Sequence, residues 1–310
     1  MTPGHPIGLA RAAPAPVTVR LPAELWVVAV ATVLAWAANA VPASLPPWAP
    51  WDFSWPAFLG IGFTLVWFVR GWRTGHAIGT ARATCFLLGL ASLYFALLTR
   101  FEYAAQHMFL LNRLQHAILH HAGPFLIALS WPGETIAAGM PAALRRGAHW
   151  LGATRAMRFV QHPVVALVLF QGLLYLWLIP PVTFRAMLDP VLYAVMNASM
   201  VIDGLLFWFL VLDPRPLPQA SIGYFPRLAL AFTIIFPQIA VGTLLGLART
   251  DLYPSFALCG RLWSGISPLA DQQLGGLILW IPAGMMSAFA AVLIMRRMFT
   301  HEDSLVRLAS

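Results

Sequence analysis

Residues 272–295 read QQLGGLILWIPAGMMSAFAAVLIM, 24 residues without a single charge. At about 1.5 Å per residue, such a helix is longer than the roughly 30 Å hydrocarbon core of a bilayer, which needs about 20 apolar residues. Working outward with the same window, seven more apolar runs lie near 22–41, 56–70, 82–98, 104–130, 160–179, 190–211 and 227–248. Composition agrees: the 310 residues are 60% hydrophobic and 10% charged, with mean hydropathy +0.75, where soluble domains carry about 25% charged residues. The expectation is an all-α polytopic membrane bundle of about eight transmembrane helices. A single transmembrane domain at 22–296 would lie between an N-terminal segment at 1–21 and a C-terminal tail at 297–310. A cytosolic enzyme, a disordered regulator and a nucleic-acid module are all excluded by this balance.

The formal charge of +8 comes from 19 basic residues, every one of them arginine. In an eight-helix topology, Arg11, Arg20, Arg70, Arg73, Arg82, Arg145, Arg146, Arg155, Arg158, Arg215, Arg227, Arg296, Arg297 and Arg307 fall on one side. Arg100, Arg185, Arg249 and Arg261 fall on the other, and Arg113 lies within the fourth helix. By the positive-inside rule both termini are expected in the cytoplasm, with membrane lipid as the surrounding medium and no nucleic-acid partner. Arg11, Arg20 and Ala38-Asn39-Ala40 also resemble a cleavable signal, which would leave seven helices. Cys85 and Cys259 fall at opposite ends of this topology and are not expected to pair.

The fourth run, EYAAQHMFLLNRLQHAILHHAGP, holds four of the nine histidines: His107, His116, His120 and His121. Ionisable groups at membrane depth normally face the bundle interior and mark function. At 100° per residue His116 and His120 share a face, and Glu102 and Arg113 project roughly the same way. His107 and His121 point to the other side, and Pro124 is expected to kink the helix below the pair. Three readings of this face stay open. It is a buried hydrogen-bond network with Arg113 and Glu102 as partners, a metal site with Met108 as an added soft ligand, or a proton relay. The sixth helix adds Met196 and Met200, soft ligands for Cu(I) or ordinary packing residues, and Asn197 and Asp203. An acid at that depth marks a partner contact or a proton path, and an unpaired Asp203 would be protonated.

The last helix opens Asp271-Gln272-Gln273-Leu274-Gly275-Gly276 and continues to Trp280 and Pro282. Asp271 complements a helix N-terminal dipole, Gly275-Gly276 admits a second backbone, and Pro282 frees a carbonyl. This run, DQQLGGLILWIP, resembles the signature in the last helix of the CtaG family of cytochrome c oxidase assembly factors, associated with caa(3)-type oxidases. HHAGPFLIAL (120–129), His162-Pro163, GLLFW (204–208), Asp213-Pro214-Arg215-Pro216 and Leu252-Tyr253-Pro254 match in the same order, so the resemblance runs from about residue 50 onward. The family's His-Met-x-x-His in helix four has leucine at its second histidine here, and Asn197 stands where some members have histidine.

The resemblance implies an assembly factor for a haem-copper oxidase, concerned with its copper-containing subunits. Its partners would be oxidase subunits or other assembly proteins, and its metal copper, held through His107, His116, His120, His121 and Met108. Arg113, Asp203, Asp271, Gln272, Gln273, Gly275, Gly276, Trp280 and Pro282 are expected to serve structure or partner contact. The alternatives are a copper or ion transporter, which the broken helices would permit, and a haem-binding electron carrier. Haem would need a histidine facing His107 or His121 at matching depth, and only His162 starts another helix. No HExxH and no nucleophile elbow occurs, so the chain is not expected to be an enzyme.

Overall fold

A computed structural model describes residues 22–258 and 260–309. The N-terminal segment with Arg11 and Arg20, and Cys259, lie outside the described residues; Cys85 is half-buried on the third helix. The chain is all-helical, with no strand among the described residues. In order the helices are α1 Ala23–Ala40, α2 Trp55–Arg73, α3 Thr80–Leu98, α4 Arg100–Ala105, α5 Phe109–His116, a π-helical turn Ala117–Ala122, and α6 Gly123–Ser130. They continue with α7 Gly133–Gly139, α8 Ala142–Gly152, α9 Arg155–Val160, α10 Pro163–Leu176, α11 Pro180–Leu188 and α12 Pro190–Val211. The last are α13 Tyr224–Thr233, α14 Ile235–Gly246 and α15 Pro268–Ala309.

Among the described residues, five helical segments are long and apolar enough to cross a membrane: Ala23–Ala40, Thr80–Leu98, Pro190–Val211, Tyr224–Gly246 and Pro268–Asp303. The pair α10 and α11, bent by 74°, brings the number to six if it is counted as one broken span, short of the eight expected. The bundle is apolar outside as well as inside. Val191, Val195 and Ile202 of α12, Leu244 of α14 and Met285, Phe289 and Val292 of α15 are all exposed, as they are in a protein solvated by lipid.

Several boundaries differ from the sequence expectation. The expected span 104–130 is broken at 106–108, where α4 ends and Met108 takes an extended backbone before α5. The expected span 160–179 becomes α10 and a bend, because Pro180-Pro181 cannot continue the hydrogen-bond ladder and open a new helix instead. The expected loop 131–159 carries α7, α8 and α9. In α7, Gly139 lies on Gly71 and Trp67 of α2, and Gly71 lies on the Thr135 carbonyl, so any side chain at either glycine would collide with backbone. The helix continues into the expected tail 297–310, since α15 passes through Pro282 and runs to Ala309.

The centre of the bundle is the continuous helical rod 109–130 formed by α5, the π turn and α6. It lies against α3, α12 and α15. One end of the bundle is knitted by arginines. Arg82 donates to the carbonyls of Ser130 and Trp131, Arg297 to that of Leu212, and Arg227 to those of Asp213, Arg215 and Ile222. Ser130 and Leu212 close α6 and α12, so cations meet the negative ends of helix dipoles there. Arg215 adds a two-pronged pair with Asp213 at 2.7–2.9 Å, a hydrogen bond that raises its already high pKa, and stacks over Trp131.

Candidate functional site

The rod 109–130 starts without a capping side chain of its own, because Met108 occupies the cap position. Its cap comes from α15. The Asp271 carboxylate accepts the N–H groups of Phe109 at 2.9 Å and Leu110 at 2.8 Å, and Arg261 holds the same carboxylate at 3.0 Å. The neighbouring amides extend this joint. Gln272 accepts from the Leu252 N–H and donates to the Thr250 carbonyl, and Gln273 donates to the Ala248 carbonyl. Gly275 sits under the Phe109 ring. A Cβ on Gly276 would come within 2.6 Å of the Gly246 nitrogen, and Trp280 covers Gly242 of α14. The Asp-Gln-Gln-x-Gly-Gly run thus joins α15 to the rod and to α14 at one level.

Pro124 explains the π turn. Lacking an N–H, it cannot pair with the carbonyl four residues back, and its ring would collide with that carbonyl, which belongs to His120. The helix responds by winding an extra residue into Ala117–Ala122 through wider hydrogen bonding, where a kink was expected. Two consequences follow for the histidines. His121 is brought round beside His120, with ring centroids 5.0 Å apart and both rings against Phe170 of α10. The His120 carbonyl faces Gly204 of α12, where a Cβ would approach it to 2.5 Å. The adjacent Asp203 then reaches the His120 ring, Nε2 to Oδ2 at 3.0 Å, with both side chains buried. Asp203 is therefore partnered.

His116, His120 and His121 are all at most 2% exposed. Around them lie Gln115, which donates to the Ala96 carbonyl and accepts from the Tyr193 hydroxyl, and Gln238, 3.4 Å from His121 Nε2. Many polar atoms in this region have no hydrogen-bond partner. Among the described residues they include both ring nitrogens of His116, Nδ1 of His120 and of His121, Oδ1 of Asn197, Oε1 of Gln238, and Nε and Nη1 of Arg113. Arg113 is 1% exposed, packs over the Phe109 ring and touches Asn112, and forms no ion pair among the described residues.

The remaining expected site residues are not here. His107 lies in the turn after α4 and bonds the Tyr103 carbonyl through Nδ1 at 2.9 Å. Met108 is buried with Ala105 and Leu111 in a separate small cluster. Glu102, on α4, does not pair with Arg113. It is buried beside Asp52, and burial first, then that like charge, raises its carboxyl pKa to about 9. The break at 106–108 detached all three from the rod. His162, the one histidine weighed for facing a haem, is exposed at the start of α10. Met196 and Met200 are wholly buried packing residues.

As a test of metal fit, the donor chemistry of three dry imidazoles suits copper or zinc. The geometry falls short of a closed site: among the described residues no three His, Cys, Asp or Glu side chains converge as metal ligands. Sequence reasoning missed Gln115, Gln171, Gln238, Tyr193 and Phe170. The two lone amides inside apolar runs, Gln171 in VLFQGLL and Gln238 in IFPQIAV, were a legible signal.

With this arrangement in view, a family model described as cytochrome c oxidase caa3 assembly factor matches residues 63–301. That span includes the rod and the Asp-Gln-Gln joint. Among curated proteins, "Uncharacterized protein Mb0105" of Mycobacterium bovis (strain ATCC BAA-935 / AF2122/97) is 28% identical over 225 residues. "Uncharacterized protein MT0111" of Mycobacterium tuberculosis (strain CDC 1551 / Oshkosh) matches to the same degree. Each alignment covers 67% of this chain and 32% of the relative, so the chain spans about a third of the length of the curated relatives it matches. No solved structure matches.

Proposed function

Because the chain belongs to the CtaG family of cytochrome c oxidase caa3 assembly factors, we propose that it assists assembly of a haem-copper oxidase from within a bacterial inner membrane. The arginine-knitted end would face the cytoplasm. The role is non-catalytic: helix surfaces meet oxidase subunits or other assembly proteins, and copper is cargo. The cargo would be met by His116 and His120, with His121 beside them. The observation that carries this reading is the set of buried imidazole nitrogens without partners in the middle of the rod. A donor set short of a closed site suits cargo that must leave again, since three or four converging protein ligands characterise a metal held for structure or catalysis. His107 is engaged with the Tyr103 carbonyl and Met108 is packed with Ala105 and Leu111, so this reading leaves both out of the donor set.

The pair His120–Asp203 supports a second reading, a polar spine that orders the bundle. The two are separated by measuring copper and haem in detergent-purified protein, beside the His116→Ala/His120→Ala variant. Copper at a fixed ratio in the wild type, its loss in the variant and no Soret band are the expected results. A wild type that takes up no Cu(I), or normal oxidase assembly in cells carrying only the variant, would leave the spine alone.

A further inference from the structure

Between α9 and the start of α10 lies an open cavity of about 660 Å³ lined by Arg155, Arg158, Phe159, His162, Val164 and Val165. It sits at the end of a membrane span, since α10 is the first half of the bent pair. We propose that this cavity holds the headgroup of an anionic phospholipid, with α8 lying along the same leaflet in the plane of the headgroups. The inference is independent of the oxidase role.

Charge points to an anion. No Asp or Glu occurs anywhere in residues 135–188, so Arg145, Arg146, Arg155 and Arg158 have no acid of their own segment to meet. The apolar half of the lining points to a lipid in particular. Phe159 and Val164 are 66% and 61% exposed, and Val168, one turn further along α10, is 62% exposed. That strip continues from the cavity onto the lipid-facing side of the span, so one ligand can place a phosphate on the arginines and an acyl chain along the valines. A soluble anion or an acidic peptide would gain nothing from the strip.

The neighbouring helix has the form of an interfacial element. None of the residues of α8 is buried. At 100° per residue Leu144 and Leu151 share one face with Ala148 and Gly147, Arg145, Arg146 and His149 share the opposite one, and Trp150 stands at the border. A short helix that buries nothing in its own protein needs another surface to be stable in water. Apolar residues on one side, arginines on the other and a tryptophan between them fit the boundary of an anionic leaflet. Basic pockets between spans at that level recognise anionic headgroups, each cation near the surface strengthening binding about fivefold.

The test is native mass spectrometry of the detergent-purified full chain, titrated with phosphatidylglycerol or phosphatidylcholine of the same acyl chains. The expected result is one saturable phosphatidylglycerol per chain, little phosphatidylcholine, and binding about 25-fold weaker in Arg155→Gln/Arg158→Gln. Phe159→Ser should weaken binding several-fold and more so for longer acyl chains. All three positions are exposed, and a matching thermal transition confirms the fold. Equal binding of the two lipids, wild-type affinity in the double glutamine variant, or full displacement of phosphatidylglycerol by inorganic phosphate would each overturn the proposal.

Discussion

Arg227 and His116 are equally buried, each 1% exposed, at two levels of one bundle. The guanidinium of Arg227 spends its donors on three carbonyls at 2.6–3.0 Å, and Arg82 and Arg297 do the same nearby. Neither ring nitrogen of His116 has a partner. A buried polar atom left unpaired costs about 1–3 kcal/mol, so the two regions differ in kind. The arginine end is a finished joint whose groups satisfy one another. The histidine core retains unspent donors and acceptors inside the membrane, where polar groups are rarely kept without a task.

The difference can be broken most severely at the arginine end. Arg227→Met should remove about 3–5 kcal/mol of stability, because it leaves the carbonyls of Asp213, Arg215 and Ile222 without their donor. Thermal unfolding in detergent and the yield of folded protein measure this. Gly204→Val comes next, at about 1–3 kcal/mol, by forcing α12 away from the His120 carbonyl. It should also lengthen or break the His120–Asp203 contact, which the imidazole signals in an NMR spectrum of the labelled protein would register.

The opposite outcome is expected at His116. Replacement by Leu, close to imidazole in volume, removes two unpaired atoms, so stability should be unchanged or higher by about 1 kcal/mol while oxidase assembly falls. A large loss of stability there would make His116 a structural residue like Arg227. Glu102 gives a test of a different kind, read as a slope with pH and not as a loss at one pH. Its folded pKa of about 9 lies above the ordinary 4.5, so the folded state binds the extra proton and stability falls as pH rises from about 4.5 to 9. Melting temperatures between pH 5 and 9 should slope downward in the wild type and less so in Glu102→Gln.

Much of this was legible before any coordinates. An uncharged run such as 272–295 states its own solvent, Pro124 marked where the helix would depart from regular winding, and Gly276 marked where a second backbone would meet it. The fate of the histidines was not legible, because the phase of a helix is set by every residue before it. An extended Met108 and one extra residue in the π turn were enough to separate His107 and to move His121 beside His120. Asp271 was readable as a helix-start acid, but the helix it caps belongs to a different part of the chain.

Apolar length and arginine placement, properties of single segments, therefore belong to the sequence: an all-helical membrane protein and its basic end, but not the number of its spans. Which polar groups find one another belongs to tertiary structure alone. Pairings such as Asp203 with His120 or Asp271 with Phe109 depend on helices distant in the chain meeting at one depth, and on glycines letting them come close enough to bond.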